Sequence, residues 1–117
     1  MTFDEYQQAA LSTAIYGRAQ AGVDGNLVYP ALGLVGEAGE YADKVKKHWR
    51  NTQSMSACNM TMTQKIEFAK ELGDVLWYLA VSAKELGFSF QDIAQMNISK
   101  LLDRRARGVI KSEGDNR

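Results

Sequence analysis

The chain has 117 residues and a mass of 13.0 kDa, which is the size of one domain with its own hydrophobic core. Fourteen basic residues balance 14 acidic residues, so no overall charge attracts nucleic acid or an anionic membrane surface. We therefore expect residues 1–117 to form a single domain whose partners are neither nucleic acid nor membrane.

The cellular location is indicated by the N-terminus and by the cysteine content. The opening stretch MTFDEYQQAA lacks the basic and apolar regions of a secretory signal, and no uncharged stretch reaches the roughly 18 residues of a membrane span. The single cysteine, Cys58, excludes an internal disulfide and suits a reducing compartment. These features predict a soluble protein of the cytoplasm.

Four segments have the apolar spacing and the end signals of helices. They run from Thr2 to about Tyr16, from about Pro30 to about Trp49, from about Thr63 to Leu86, and from Ser89 to about Arg107. No segment shows the strict alternation of a half-buried strand. The sequence therefore predicts an all-α fold that resembles a four-helix bundle.

Capping residues and glycines indicate where these helices begin and end. Thr2 with Glu5, and Ser89 with Asp92, have the spacing of capping boxes at the first and fourth helices. The predicted helix ends are marked by three glycines: Gly17, Gly87 and Gly108. These residues predict the starts of the first and fourth helices and the ends of the first, third and fourth.

Three segments lie outside the predicted helices. Residues 17–28 are rich in Gly, Asp and Asn, which favours a loop, and residues 51–62 are polar and uncharged, which favours a linker. The tail, residues 108–117, has no periodicity. We expect the tail either to be flexible or to fold over a binding site.

The second and third helices each carry two carboxylates spaced to share one helix face. Glu37 and Glu40 form the first pair, Glu71 and Asp74 form the second, and Glu67 lies one turn before Glu71. A charged stripe of this kind is ordinarily the solvated face of an amphipathic helix. That interpretation stays open for Glu67, which could equally support a site next to the other acids.

Two features of the third helix count against a purely solvated face. The run VLWYLAVSA after Asp74 has no charge on any side, so we expect this half of the helix to be buried on all sides. Four helices of one chain offer few ways to cover it, which points to a partner subunit. Glu67 and Glu71 also repel each other, and clustered carboxylates repel strongly unless a cation lies among them.

The two acidic pairs have the chemistry of a magnesium site. Mg²⁺ takes oxygen ligands and commonly completes its shell with water and substrate phosphates. Gly36, Gly39 and Gly73 stand beside the acids, although each interior glycine costs a helix about 1 kcal/mol relative to alanine. We expect the missing side chains to let a metal, a triphosphate or a second helix approach.

These residues resemble the signature of a known enzyme family. The pattern E-x-x-E followed by E-x-x-D is that of the all-α nucleoside triphosphate pyrophosphohydrolases, and GLVGEAGEYADKVKK with KELGDVLWYLA is most similar to the MazG-like branch. The likeness covers about residues 28–117. It implies a MazG-type fold completed by homo-oligomerisation, as a homodimer or a homotetramer, and Mg²⁺- or Mn²⁺-dependent cleavage of a nucleoside triphosphate between its α and β phosphates.

The resemblance also implies roles for individual residues. Glu37, Glu40, Glu71 and Asp74 match the catalytic, metal-binding carboxylates. Asn97 and Lys100, in NISK on the fourth helix, match residues that contact nucleotide or phosphate. Further candidates for phosphate contacts are Lys44, Lys47, Arg104 and Arg107.

Ordinary structural roles remain open for several of these residues. Lys44 stands four residues after Glu40 and could form a helix ion pair with it, and the arginines near Arg104 complement the dipole at a helix end. The aromatic residues Trp49, Trp77 and Tyr78 suit a core or a subunit interface, and one of them could instead stack on a nucleobase.

Three functional hypotheses follow from the sequence. The first is nucleoside triphosphate pyrophosphohydrolysis that cleans or controls the nucleotide pool. The second is the same reaction restricted to a deoxynucleotide or a modified nucleotide. The third is a non-catalytic helical interaction protein whose acids are merely solvated, and which would show no metal dependence.

Overall fold

The computed structural model describes residues 1–111 and 113–116, and this part of the chain is helical without strands. Its elements are α1 (Phe3–Leu11), a short 3₁₀ helix (Gly22–Asp24), α2 (Val28–Thr52), α3 (Met62–Glu85) and α4 (Phe90–Ala106). The predicted all-α fold with four main helices is confirmed. None of the described helices is long and apolar enough to cross a membrane.

The two long helices, α2 and α3, form an antiparallel pair. Gly33 near the start of α2 faces Tyr78 in the second half of α3. Further along α2, Lys44 contacts Glu71, so residues that are later in α2 meet residues that are earlier in α3. This pairing sets the acidic stripes of the two helices opposite each other.

The first helix packs on the second half of α3 and on the start of α4. The buried centre of this contact is formed by Ala10, Ala80 and Phe90. Gln7 is buried beside it, and its side-chain amide donates to the carbonyl oxygens of Ala80 and Phe88 at 3.0 and 3.2 Å. Its amide oxygen accepts the Phe90 N–H at 3.2 Å. A single buried side chain therefore joins three helical segments.

The first helix ends at Leu11, so the predicted end near Tyr16 was wrong. The hydroxyls of Ser12 and Thr13 bond back to the carbonyl oxygens of Ala9 and Ala10, which satisfies them in a tight turn. Beyond this turn, the Tyr16 hydroxyl donates to the carboxylate of Glu85 on α3. This long-range contact holds residues 12–27 as a loop against α3.

The other helix boundaries agree more closely with those predicted from the sequence. The capping boxes at Thr2 and Ser89 are both present, and the glycines after α3 and α4, Gly87 and Gly108, have the positive φ angles of helix-ending residues. The second helix continues beyond Trp49 to Thr52 and ends where Gln53 takes a left-handed conformation with φ 58°. The linker is correspondingly shorter than predicted.

The uncharged half of α3 is covered on only part of its surface by its own chain. Ala80, Val81 and Ala83 are buried, whereas Leu79 is 39% exposed. Burial on all sides, as predicted for this segment, is therefore not achieved within one copy.

The structure describes residues 108–111 and 113–116 of the predicted tail. Ser112 and Arg117 lie outside the described residues. Asp115 contacts Lys100 and Arg104 on α4, so this part of the tail folds back on the fourth helix.

Candidate metal and nucleotide site

Three predicted carboxylates converge between α2 and α3. Glu37 comes from α2, while Glu71 and Asp74 come from one face of α3, and one oxygen of each lies within 4.8 Å of the others. The antiparallel pairing of the helices brings the two sequence motifs together. Glu40, the fourth predicted ligand, is exposed on α2 and lies outside this three-carboxylate cluster.

Burial and neighbouring negative charge disfavour the ionised form of Glu37. The pKa of the Glu37 carboxyl is raised above its ordinary value, first by burial and next by the negative charge of Glu40. The charges of Asp74 and Glu71 raise it further. A cation among these oxygens would relieve the same repulsion that protonation of Glu37 relieves.

Lys44 is the nearest counter-charge in the described structure. Its ammonium group lies 3.0 Å from Glu71, a carboxylate of the opposite helix, and this contact is the main reason that the pKa of Lys44 is raised. The interaction crosses between helices, whereas the sequence suggested a pair with Glu40 along α2. Lys44 therefore stands at the edge of the cluster, within reach of an anion bound there.

Glu67 is engaged with a neighbour on its own helix. Its carboxylate lies 2.8 Å from the ammonium group of Lys70, and this pair lowers the pKa of Glu67. Glu67 is about half exposed and is not among the clustered carboxylates. Of the two interpretations left open for this residue, the solvated helix face has the structural support.

The predicted substrate residues outside the cluster are also paired within the chain. Lys47 contacts Asp43 at 2.6 Å, and Arg107 contacts Asp103 at 2.8 Å. Both pairs join residues on one helix and lie at its surface.

Lys100 and Arg104 share one partner in the tail. Asp115 lies 3.3 Å from the Lys100 ammonium group and 2.9 Å from the Arg104 guanidinium, which also donates to the Asp115 backbone oxygen. The Arg104 side chain is 5% exposed and its Nε atom has no hydrogen-bond partner among the described residues. Asn97 is exposed on the same helix. These two cations thus hold a carboxylate of their own chain.

A cavity of about 370 Å³ opens beside the cluster. It is lined by the carboxylates Glu37 and Asp74 and by three uncharged residues, Thr13, Trp77 and Tyr78. Thr13 was not among the predicted site residues, because the sequence placed it near the end of the first helix. No local sequence signal marks it, since it reaches the cavity through long-range contacts, such as those of Trp77 with Thr13 and of Tyr16 with Glu85.

A larger cavity of about 530 Å³ lies between the second half of α2 and the first half of α3, under the linker. Aliphatic and aromatic side chains dominate its walls, and no carboxylate is among the residues that line it. The smaller cavity is therefore the candidate site, because it alone of the two adjoins the clustered acids.

The glycines near the acids do not all serve one purpose. A Cβ atom at Gly33 would lie 2.1 Å from the Tyr78 ring, so the approach of the two helices requires glycine there. At Gly36, Gly39 and Gly73 an added Cβ would meet nothing within 4 Å. Close packing of α2 on α3 within one chain therefore does not explain these three glycines.

The donor set fits a hard divalent cation. All three clustered groups offer carboxylate oxygens, which are the ligands that Mg²⁺ prefers, and neither sulfur nor imidazole is among them. The open cavity leaves room for water and phosphate oxygens to complete a coordination shell. The arrangement can thus bind a divalent cation together with an anionic ligand.

Comparisons with known proteins agree with this chemistry. A family model described as MazG nucleotide pyrophosphohydrolase domain matches residues 30–109. The chain is also similar to the Gene 37 protein of Mycobacterium phage L5, with 43% identity over 118 residues and coverage of 100% of both proteins. No solved structure gives a significant match.

Proposed function

The chain belongs to the MazG nucleotide pyrophosphohydrolase family, and on this basis we propose that it hydrolyses a nucleoside triphosphate between the α and β phosphates. One water is consumed, one phosphoanhydride bond is broken, and the products are a nucleoside monophosphate and pyrophosphate. The observation that carries this proposal is the convergence of Glu37, Glu71 and Asp74 beside an open cavity. The proposed role is removal of unwanted nucleotides or control of their pool, in the cytoplasm, by residues 1–117 acting as one domain.

Glu37, Glu71 and Asp74, with Glu40 as a fourth candidate, are proposed to hold Mg²⁺ or Mn²⁺. Such an ion, when bound, supplies charge neutralisation for the phosphates and makes a water molecule more acidic. Glu40 is the nearest further carboxylate on α2, and its charge already acts on Glu37. Glu40 stands one helical turn after Glu37, on the same face of α2.

Lys44 is proposed to orient the phosphate chain. Its ammonium group now contacts Glu71 at the edge of the cluster, and a phosphate oxygen can replace that carboxylate as its partner. Asn97 and Lys100 are proposed as nucleotide contacts, with Lys47, Arg104 and Arg107 as further candidates, on the strength of the family resemblance.

Homo-oligomerisation, as a dimer or a tetramer, is proposed to complete the fold and the site. The support for this is the exposed apolar surface of α3 and α4, including Leu79, Ile98 and Leu102. The same surface would suit a non-catalytic interaction protein, but a solvated role gives no reason for three acids to converge beside a cavity.

The proposal is tested by a pyrophosphate-release screen of ribo-, deoxyribo- and modified nucleoside triphosphates with Mg²⁺. The screen also separates a broad enzyme from one restricted to a deoxynucleotide or a modified nucleotide. We expect Glu71→Gln and Asp74→Asn to lower kcat/KM about a hundredfold or more, because each removes an anionic ligand of the proposed metal ion. Asp24→Asn, on the exposed loop before α2, is the control and should retain full activity.

A thermal-shift titration with Mg²⁺ provides a readout that is independent of turnover. The wild-type protein and Asp24→Asn should gain thermal stability as Mg²⁺ is added, and the two cluster variants should not. Absence of both turnover and metal stabilisation in the folded wild-type protein would contradict the proposal and favour the interaction protein.

A further inference from the structure

We propose that Trp77 is the platform on which the nucleobase of the substrate stacks, and that Thr13 holds its indole ring in place. The inference rests on the proposed function and adds which residue contacts the base of the nucleotide and by what kind of contact. It starts from the cavity beside the acids, whose lining contains both charged and uncharged residues.

The charged residues in the lining of the cavity fix how a nucleotide would lie in it. Phosphates need a divalent cation to approach Glu37 and Asp74, so the phosphate chain belongs at these carboxylates. The other lining residues, Thr13, Trp77 and Tyr78, carry no formal charge at neutral pH. The base and sugar of the same molecule are therefore left to these uncharged residues.

Trp77 has the geometry of a fixed aromatic wall. It is half-buried, packs against the core formed by Ala10, Ala80 and Phe90, and meets the Tyr78 ring edge-on with centroids 4.9 Å apart. The part of the ring that the core leaves uncovered lines the cavity. A rigid ring of this kind loses little conformational entropy when a base stacks on it.

Thr13 restrains the orientation of this ring. The Trp77 Nε1–H donates to the Thr13 hydroxyl at 2.8 Å, and that hydroxyl donates in turn to the Ala10 carbonyl oxygen at 2.7 Å. The loop that carries Thr13 is itself held to α3, because Glu85 accepts hydrogen bonds from the Tyr16 hydroxyl and the Gln20 N–H. Thr13 is thus a positioning residue that acts through Trp77.

The hydrogen bond has a consequence for specificity. Because the indole N–H is already engaged by Thr13, Trp77 recognises a base through its ring face alone. Stacking is tolerant of base identity, since every base has an aromatic face. We therefore expect Trp77 to contribute to affinity for purine and pyrimidine nucleotides alike. Thr13 lies outside the residues 30–109 that match the family model, whereas Trp77 lies within them.

The first test uses kinetics of variants that alter the wall. Thr13→Val removes the acceptor with little change of shape and should raise KM about threefold for every nucleotide hydrolysed, with kcat nearly unchanged. Trp77→Leu should raise KM about tenfold or more. Thr13→Ser keeps the hydroxyl and should restore the wild-type KM. A wild-type KM in both Thr13→Val and Trp77→Leu would overturn the proposal.

The second test is direct and does not depend on turnover. In a Trp49→Phe background Trp77 is the single tryptophan, because the chain contains two. Its fluorescence is titrated, with Mg²⁺ present, with α,β-methylene analogues of a purine and a pyrimidine deoxynucleoside triphosphate and with inorganic triphosphate. We expect both analogues to quench the emission and inorganic triphosphate to leave it unchanged.

The two tests separate this proposal from the proposed reaction. Quenching by the analogues without turnover of any nucleotide would contradict the proposed reaction and support the base site. Turnover without quenching by the analogues, or with equal quenching by inorganic triphosphate, would support the proposed reaction and contradict the base site.

Discussion

Gly33 is the position at which a single atom decides how closely α2 and α3 can approach. The space that a Cβ would need is filled by the Tyr78 ring, which also lines the cavity beside the acids. Gly36, three residues further along α2, has open space around it instead. A side chain is therefore unfavourable at Gly33 and can be accommodated at Gly36.

We predict that Gly33→Ala destabilises the protein by about 1–3 kcal/mol, because the methyl group forces Tyr78 or α2 to move. Gly36→Ala is the matched control, and the higher helix propensity of alanine should stabilise it by up to about 1 kcal/mol. Urea unfolding of both variants measures the difference. Equal free energies of unfolding for the two variants would contradict the packing argument.

Asp115 is the residue that joins the tail to α4. Contacts with Arg104 and then Lys100 lower the pKa of its carboxyl below the ordinary value. The ionised form is therefore stabilised in the folded state, so the contribution is present above the unfolded pKa of about 3.9 and is lost as the pH falls through the lower folded pKa.

We predict that Asp115→Asn loosens the tail at neutral pH and has no such effect at a pH below the folded pKa. Hydrogen exchange of the backbone amides near residue 115, corrected for intrinsic rates, measures this opening. The wild-type tail should become as exchange-labile as that of the variant only in strong acid. A difference that persists at the lowest pH would show that ionisation of Asp115 does not hold the tail.

At the scale of elements, the sequence predicted starts of helices better than their ends. A capping box is a local arrangement, so Thr2 and Ser89 identified their helices directly. The end of α1 depends on contacts of Tyr16 and Glu85, which are far apart in sequence and close only after folding. Periodicity alone cannot report such a contact.

The sequence likewise predicted some residues of the candidate site and not others. Motif spacing identified Glu37, Glu71 and Asp74, which the antiparallel helices bring together. Spacing could not reveal that Lys44 crosses to Glu71, because helical periodicity describes neighbours on one helix and not those on the next. It also could not place Thr13 at the cavity, since that depends on the path of a loop.

Gln7 is the side chain on which the arrangement of α1, α3 and α4 most directly depends. We predict that Gln7→Ala lowers the free energy of unfolding by about 2–4 kcal/mol, because the Phe90 N–H loses its buried acceptor and a packed side chain is removed. Its neighbour Gln8 is exposed, so Gln8→Ala should change stability by less than about 0.5 kcal/mol. Chemical denaturation measures the free energy of unfolding of both variants. Similar losses in the two would contradict a stabilising role of the buried Gln7 amide.

At the scale of the whole molecule, the chain is more extended than its length requires. Its radius of gyration is 17.2 Å, whereas a compact domain of this length has a value of about 13 Å. Ile98, Leu101 and Leu102 share one face of α4 and are 50%, 41% and 48% exposed. An elongated subunit with an uncovered apolar face is typical of a protein that packs against another copy.

We predict that the wild-type protein sediments as a dimer or a larger assembly at micromolar concentration, and that Leu102→Lys shifts it toward the monomer. Ile15 is 94% exposed on the loop after α1, so Ile15→Lys serves as a control and should leave the mass unchanged. Analytical ultracentrifugation distinguishes the outcomes. A monomeric wild-type protein would contradict the assembly, and dissociation by both variants would rule out a specific role for α4.

The carboxylates between α2 and α3 have one more consequence, which concerns the stability of the folded chain. Glu37 and Glu71 lie on opposite sides of the linker, so a cation bound by both would join the two helices across that segment. An ion that binds only the folded state stabilises it by about 2.7 kcal/mol when the free ion exceeds its dissociation constant a hundredfold. On the proposed function, the concentration of the divalent cation would therefore set the stability of the folded protein as well as its activity.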